Sequence, residues 1–405
     1  MKTKFTFALL LLSAGYASAQ GLYYVGSEAQ ESLPLKWVVG ANLTYDDNVA
    51  PGFGDEEDSL SINPYVGLSF VNITPQTTWD VYARLGLIYY FDQPDTRGSE
   101  DFNSQSRAGV NLTHRFSERL RFSSRNFISY ELEPDYSYGY ASSRQLSEYF
   151  FWQSDNSVGF RWTERFGTYT GLRLTGANYD VANNDRFTWE LYNQFRYQLT
   201  PQTVLTGDYR YAQTSGDGRS SDSTDQYILA GAEHRFSPNT IGIIRAGVQL
   251  RDVDDGSSST SPYLELALNS QVTQQLSVRA FTRYGIEGYD TVVFHPDAGL
   301  VEFDDRRTLR IGVSAEYAFS PMVSIFGGID YIPTSYEEGR RLGAPSPNKP
   351  SDLDDDIFNA YVGVSVKLTE TVTATASYTH TDSSSDVVGR DYDRNRISVG
   401  ISAEF

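Results

Sequence analysis

Arginines and carboxylates recur along this chain at every second position, interleaved with apolar residues. In the run 186–199, Arg186, Thr188, Glu190, Tyr192, Gln194, Arg196 and Gln198 alternate with Phe187, Trp189, Leu191, Phe195, Tyr197 and Leu199, and Asn193 is the one interruption of the apolar set. Carrying this phase along the chain places Arg84, Arg107, Arg121, Arg125, Arg161, Arg173, Arg196, Arg210, Arg235, Arg245, Arg251, Arg279, Arg283, Arg310 and Arg396 on one kind of face. Glu131, Glu190, Glu233, Glu265, Glu287, Glu316 and Glu404 share it, with Asp80, Asp155, Asp208 and Asp330. Such groups bind polar solutes or pair with one another across strands. A dry core cannot hold so many, because each buried ion costs several kcal/mol even when partly paired. This face is therefore expected to line water.

Catalysis finds no support in the same residues. Of the four histidines, His114, His234 and His380 fall on the apolar phase and His295 in a loop, without metal-ligand spacing or a Ser/His or Asp/His constellation. The chain has no cysteine, which excludes thiolate metal sites, cysteine nucleophiles and disulfide frameworks. The reading is a protein without enzymatic activity, cofactor or bound metal. A formal charge of −19 argues against nucleic acid as a partner. Much of that charge clusters in Asp55-Glu56-Glu57-Asp58, Asp304-Asp305 and Asp352 to Asp356, expected to form a solvated outer rim. Divalent cations bridging such carboxylates to lipopolysaccharide are the alternative for these clusters.

The elements that must position these groups are strands. The two-residue period also governs 78–92 and 306–319, in runs longer than the roughly five or six residues usual in soluble sheets. Eight short turns, such as Thr200-Pro201-Gln202 and Ser320-Pro321-Met322, alternate with nine long polar loops, at 47–58, 93–101, 133–145, 181–185, 215–225, 253–260, 289–305, 335–356 and 382–393. That pattern gives about 18 strands. A propeller of similar repeat length would need four short strands per repeat, and here each repeat holds two long ones. Short turns at one end and long loops at the other fit an all-β, antiparallel up-and-down transmembrane barrel with both termini periplasmic. The first strand must pair with the last, because an open edge in hydrocarbon leaves backbone groups unsatisfied.

Aromatic residues fall near strand ends, as interfacial girdles require. Trp79, Phe116, Trp162, Phe236, Phe319 and Phe405 lie by short turns; Tyr45, Tyr89, Phe91, Tyr130, Tyr211, Tyr227 and Tyr284 lie nearer long loops. Phe405, the last residue, ends an alternating strand and is expected to serve as the barrel-insertion signal read by the assembly machinery. At the other terminus, Lys2 and Lys4, an apolar stretch ending in four leucines, and Ala17-Ser18-Ala19 read as a signal peptide over 1–19. Residues 20–34 are then a short periplasmic segment and 35–405 the barrel.

Thr44-Tyr45-Asp46-Asp47-Asn48-Val49 resembles the signature that opens members of the putative beta-barrel porin 2 family. The resemblance implies an outer-membrane transport barrel, with some members linked to polysaccharide export, and brings no catalytic residues. Three functions fit: a pore for small hydrophilic solutes, the outer-membrane conduit of a polysaccharide-export system with its export components as partners, or a structural or adhesive barrel with an occluded lumen. Inward rings on which sugars stack, with Tyr65, Tyr82, Tyr90, Phe127, Tyr192, Phe281, Phe326 and Tyr361 as candidates, would support the second without excluding the first. The longest loop, 335–356, is a candidate constriction folded into the mouth or, equally, a mobile external loop.

Overall fold

The computed structural model describes residues 18–20, 23–25, 32–49, 51, 56–92, 102–132, 148–180, 185–216, 221–254, 256–288, 291–342 and 349–405. The expected signal peptide up to Ala17, the expected loops at 93–101 and 133–145, most of 181–185, and the Gly- and Pro-rich stretch 343–348 lie outside the described residues.

Alternation along the chain becomes a closed ring of eighteen long antiparallel strands. In chain order they are β1 (Leu33–Asp46), β2 (Ser59–Ile73), β3 (Thr77–Tyr90), β4 (Phe102–Arg115), β5 (Leu120–Glu131) and β6 (Tyr149–Arg161). There follow β7 (Phe166–Tyr179), β8 (Arg186–Thr200), β9 (Thr203–Gly216), β10 (Ser223–Ser237), β11 (Thr240–Val253) and β12 (Ser258–Gln271). The ring continues with β13 (Leu276–Ile286), β14 (Gly299–Ala318), β15 (Val323–Arg341), β16 (Leu353–Lys367), β17 (Val372–Ser385) and β18 (Tyr392–Glu404). Each strand pairs with its chain neighbours, and β18 closes on β1 from Arg396 opposite Asp46 to Glu404 opposite Val38. A short strand, Val292–His295, adds to the start of β14. A small hairpin of Ser18–Gln20 with Tyr23–Val25 precedes the ring and spans the expected cleavage point before Gln20.

The turns recur because one hydroxyl repeats one task. Ser117, Thr163, Thr273, Ser320 and Thr369 each accept, through the side-chain oxygen, the backbone N–H three residues on, at 2.9–3.1 Å. A local side-chain acceptor of this kind fixes a tight turn.

Outside, apolar side chains face away from the ring. Leu85, Leu87, Leu191, Phe195, Ile329, Val362, Ile397, Val399 and Ile401 are all exposed. A contiguous apolar surface of this extent belongs in lipid. Two matching modules sit on this face near short turns. Thr77 Oγ1 meets His114 Nδ1 at 2.8 Å with Phe116 edge-on to the imidazole, and Thr203, His234 and Phe236 repeat the arrangement at 2.9 Å. Nδ1 of each imidazole thereby has a protein partner where water is scarce.

Two loop expectations change. β14 begins at Gly299 and β15 runs to Arg341, so 299–305 and 335–341 are strand, paired from Val301 opposite Arg341 to Asp305 opposite Glu337. Both faces of 301–306 are covered, which erases there the alternation that reveals a strand. Asp304 and Asp305 are consequently buried within a strand, and Asp355 is buried near the start of β16, rather than standing on a solvated rim.

Candidate functional site in the lumen

The strands direct their polar phase inward, and the inner wall has two unlike parts. From β5 to β13 it is a lattice of charges. Arg173 bridges Asp155 and Glu190, at 3.0 Å each, and Tyr192 donates to Asp155 at 2.7 Å. Arg210 and Arg245 share Glu265, at 3.0 and 3.1 Å, and Tyr263 donates to the same carboxylate at 2.6 Å. Arg196 pairs with Glu233 at 2.6 Å, both side chains 0% exposed, and Arg196 also donates to Gln194, which in turn donates to Asp208. Arg107 meets Glu131 at 2.7 Å. Guanidinium and carboxylate match as planar forks, which offsets the cost of removing them from water.

Arg125 stands opposite Asp155 in register, Arg84 packs over the Tyr65 ring at 3.8 Å, and Arg121 is buried. Arg161 lies 3.9 Å from Glu118, Arg235 and Arg396 are half-buried, Glu316 is half-buried, and Arg279 is exposed. Arg196 and Glu233 form the cross-strand kind of pairing that was the alternative to solute contact for these charges.

Towards the long-loop end, Glu287 gathers Arg283, Arg306 and Arg310, the last two at 2.8 Å. The extension of β14 leans over this wall. Arg251 of β11 donates to the Asp304 carbonyl at 3.3 Å, Ser257 N–H donates to the Asp304 carboxylate at 2.8 Å, and Ser221 N–H donates to Glu302 at 2.6 Å. Val293, Val301, Phe303, Tyr336, Leu353 and Val387 form a buried apolar cluster there. Glu302 and Asp304 of this extension thus bond to β11 and to the residues flanking β10 and β12. Beneath it, Arg173, Arg186, Arg210, Tyr227, Glu265 and Glu287 border a cavity of about 230 Å³.

From β15 round to β1 the wall is different. Ser324, Phe326, Gly328, Tyr361, Gly363, Ser365, Thr375, Ser377, Thr379, Ser398, Gly400, Ser402, Gly40, Asn42 and Thr44 face inward there, with Asp330 and Arg396 as charges among them.

Three features escaped sequence reasoning. Tyr227, assigned to the outer girdle, instead points inward and packs edge-on against Tyr263 at 5.0 Å. Asp225 fell in an expected loop but opens β10 and pairs with Arg251 at 2.8 Å. The residues 44–49 are also a clasp across the seam. Arg394 Nε donates to both oxygens of Asp46 at 3.0 Å, Asn395 donates to Asp47 from its N–H and its amide, and Asn48 donates to the Asp393 carbonyl at 2.9 Å. Val49 is buried with Tyr90 and Leu132. The alternating phase of β18 gave no sign of this clasp, since its partner lies at the far end of the chain.

A closed barrel with an apolar exterior and a charged, hydroxyl-lined interior defines an outer-membrane β-barrel. The chain belongs to the putative beta-barrel porin 2 family, with a match over residues 164–405. Among solved structures it is similar to OccAB4 of Acinetobacter baumannii, with 11% identity over 93% of this chain and 100% of that one, at a TM-score of 0.47. It is also similar to the outer membrane protein OpdK from Pseudomonas aeruginosa (11% identity, 92% and 99% covered, TM-score 0.46). OccK2 (OpdF) of the same organism gives 9% identity, 92% and 98% covered, and TM-score 0.48. A search of curated protein sequences finds no match.

Proposed function

We propose that the protein is a passive pore through which small hydrophilic solutes cross the outer membrane. The observation that carries this reading is the inner wall: a full circuit of ionic, hydroxyl and amide groups inside an eighteen-strand ring whose outside is apolar. A ring of 16–18 strands is wide enough to leave an aqueous passage. The residues proposed to line it are the arginines and glutamates named above, Arg279 among them exposed. A catalytic role has no comparable support, the inward rings suit a pore as well as an export conduit, and the occluded barrel gains no observation of its own.

In this reading residues 1–19 are removed as a signal peptide, 20–34 remain in the periplasm, and the short turns and both termini face that side. The terminal strand favours recognition by the barrel-assembly machinery. Phe405 is exposed, and its backbone exchanges two hydrogen bonds with Trp37, at 2.8 and 3.0 Å. Lys36 with Glu404 strengthens that end of the seam. Lipopolysaccharide is the proposed neighbour of the long-loop rim.

Swelling of proteoliposomes in isotonic solute tests the proposal. Refolded protein should admit small sugars and amino acids at rates that fall with solute size. Vesicles carrying folded, heat-modifiable barrel that swell no faster than protein-free ones would overturn it.

A further inference from the structure

Aromatic residues on the inner wall face glycines directly across the strands. Phe281 is opposite Gly312, Phe326 opposite Gly363, and Tyr361 opposite Gly328. A Cβ on these glycines would stand 2.0, 2.4 and 2.7 Å from the respective rings. Each ring therefore covers the backbone of the glycine opposite it on the inner wall. Phe326 and Tyr361 do this reciprocally, each covering the glycine of the other's strand. All three rings are half-buried rather than enclosed.

Planar polar groups stand among the rings. Asp330 lies across from Gly312, and its Oδ1 would be 2.6 Å from a Cβ there, so it abuts the Phe281 ring. Asn359 donates to Asp330 at 3.4 Å. Glu316 is directly opposite Phe326.

We infer that this patch of β13 to β16 is a binding site for uncharged saccharides in transit, an inference that rests on the pore reading and names its solute class. A pyranose has one face of C–H groups and a rim of adjacent hydroxyls. The C–H face meets the electron-rich face of an aromatic ring, and vicinal hydroxyls donate in pairs to a carboxylate. Few apolar surfaces with a small number of placed polar groups satisfy both needs together. An aromatic solute would use the rings but leave Asp330, Asn359 and Glu316 desolvated without compensation. A simple anion would meet two carboxylates. Filling the glycine gaps alone would require the rings but not carboxylates beside them.

The test is ion current through the full mature chain in planar bilayers with maltotriose added. Maltotriose should block the current reversibly and saturably, and an oligoethylene glycol of like mass should not saturate. Phe326→Ala with Tyr361→Ala should raise the half-blocking concentration roughly tenfold, the loss expected from about one good contact. Phe326→Leu, which keeps apolar bulk without a flat face, should weaken the block in the same direction if the double variant does not fold. Ser69→Ala, on β2, should block like the parent. A conducting channel that maltotriose leaves untouched, or variants that block like the parent, would overturn this inference and leave the pore reading standing. A folded barrel without current would overturn both.

Discussion

The two parts of the inner wall hold themselves together by opposite means. Between β5 and β13, guanidiniums and carboxylates pair so closely that Arg196 and Glu233 see no solvent. Between β15 and β1, hydroxyls, amides and glycines predominate around scattered charges such as Asp330 and Arg396, with contacts such as Thr44 Oγ1 to Ser398 Oγ at 2.8 Å. The first wall spends its charges on its own partners, so the number of arginines does not measure the attraction felt by a passing anion. The second wall has few internal demands and keeps its groups available to water and solute. The comparison teaches that stability and solute contact reside on different strands of one ring.

That division can be broken first at its most buried pair. Glu233→Ala leaves Arg196 without its carboxylate and should cost about 3–5 kcal/mol, because an uncompensated buried charge is strongly destabilising. The loss would be read from the denaturant midpoint of the folded-barrel gel shift. Next is the seam. Asp46→Ala removes both acceptors of Arg394 Nε and should cost about 1.5–3 kcal/mol by the same assay, the range for hydrogen bonds to charged groups. On the hydroxyl side, Gly363→Ala drives a Cβ into the Phe326 ring and should cost about 1–3 kcal/mol through overpacking, while Ser377→Ala should stay within about 0.5 kcal/mol. Lastly, Arg279→Glu reverses an exposed lumen charge. It should shift the reversal potential towards cations at low salt, with the shift shrinking as salt rises, and leave the denaturant midpoint nearly unchanged.

Most of the fold was legible because a barrel wall between lipid and water writes its two faces into every strand. The runs at 78–92 and 186–199 fix both element and orientation, and the hydroxyl-led turns mark one end. Legibility failed where the two environments stop differing. The start of β14 is covered on both faces, so Glu302, Asp304 and Asp305 read as an acidic loop. Tyr227 lies towards the long-loop end of β10, where an aromatic suits either the girdle or the lumen, and only the register with Arg210 and Gln249 decides. The phase placed the arginines inward but carried no information on partners: Arg196 meets Glu233 two strands away, and Asp46 meets Arg394 from the far end of the chain. The 44–49 motif signalled a family, and only the closed ring shows that it joins the first strand to the last.

The most direct test of the account is the single-channel conductance of the refolded, heat-modifiable mature chain in a planar bilayer. A ring with a paired charged wall and an open hydroxyl wall predicts a stable, ohmic current in simple salt without added ligand. A correctly folded barrel that stays electrically silent across the same voltages would contradict it.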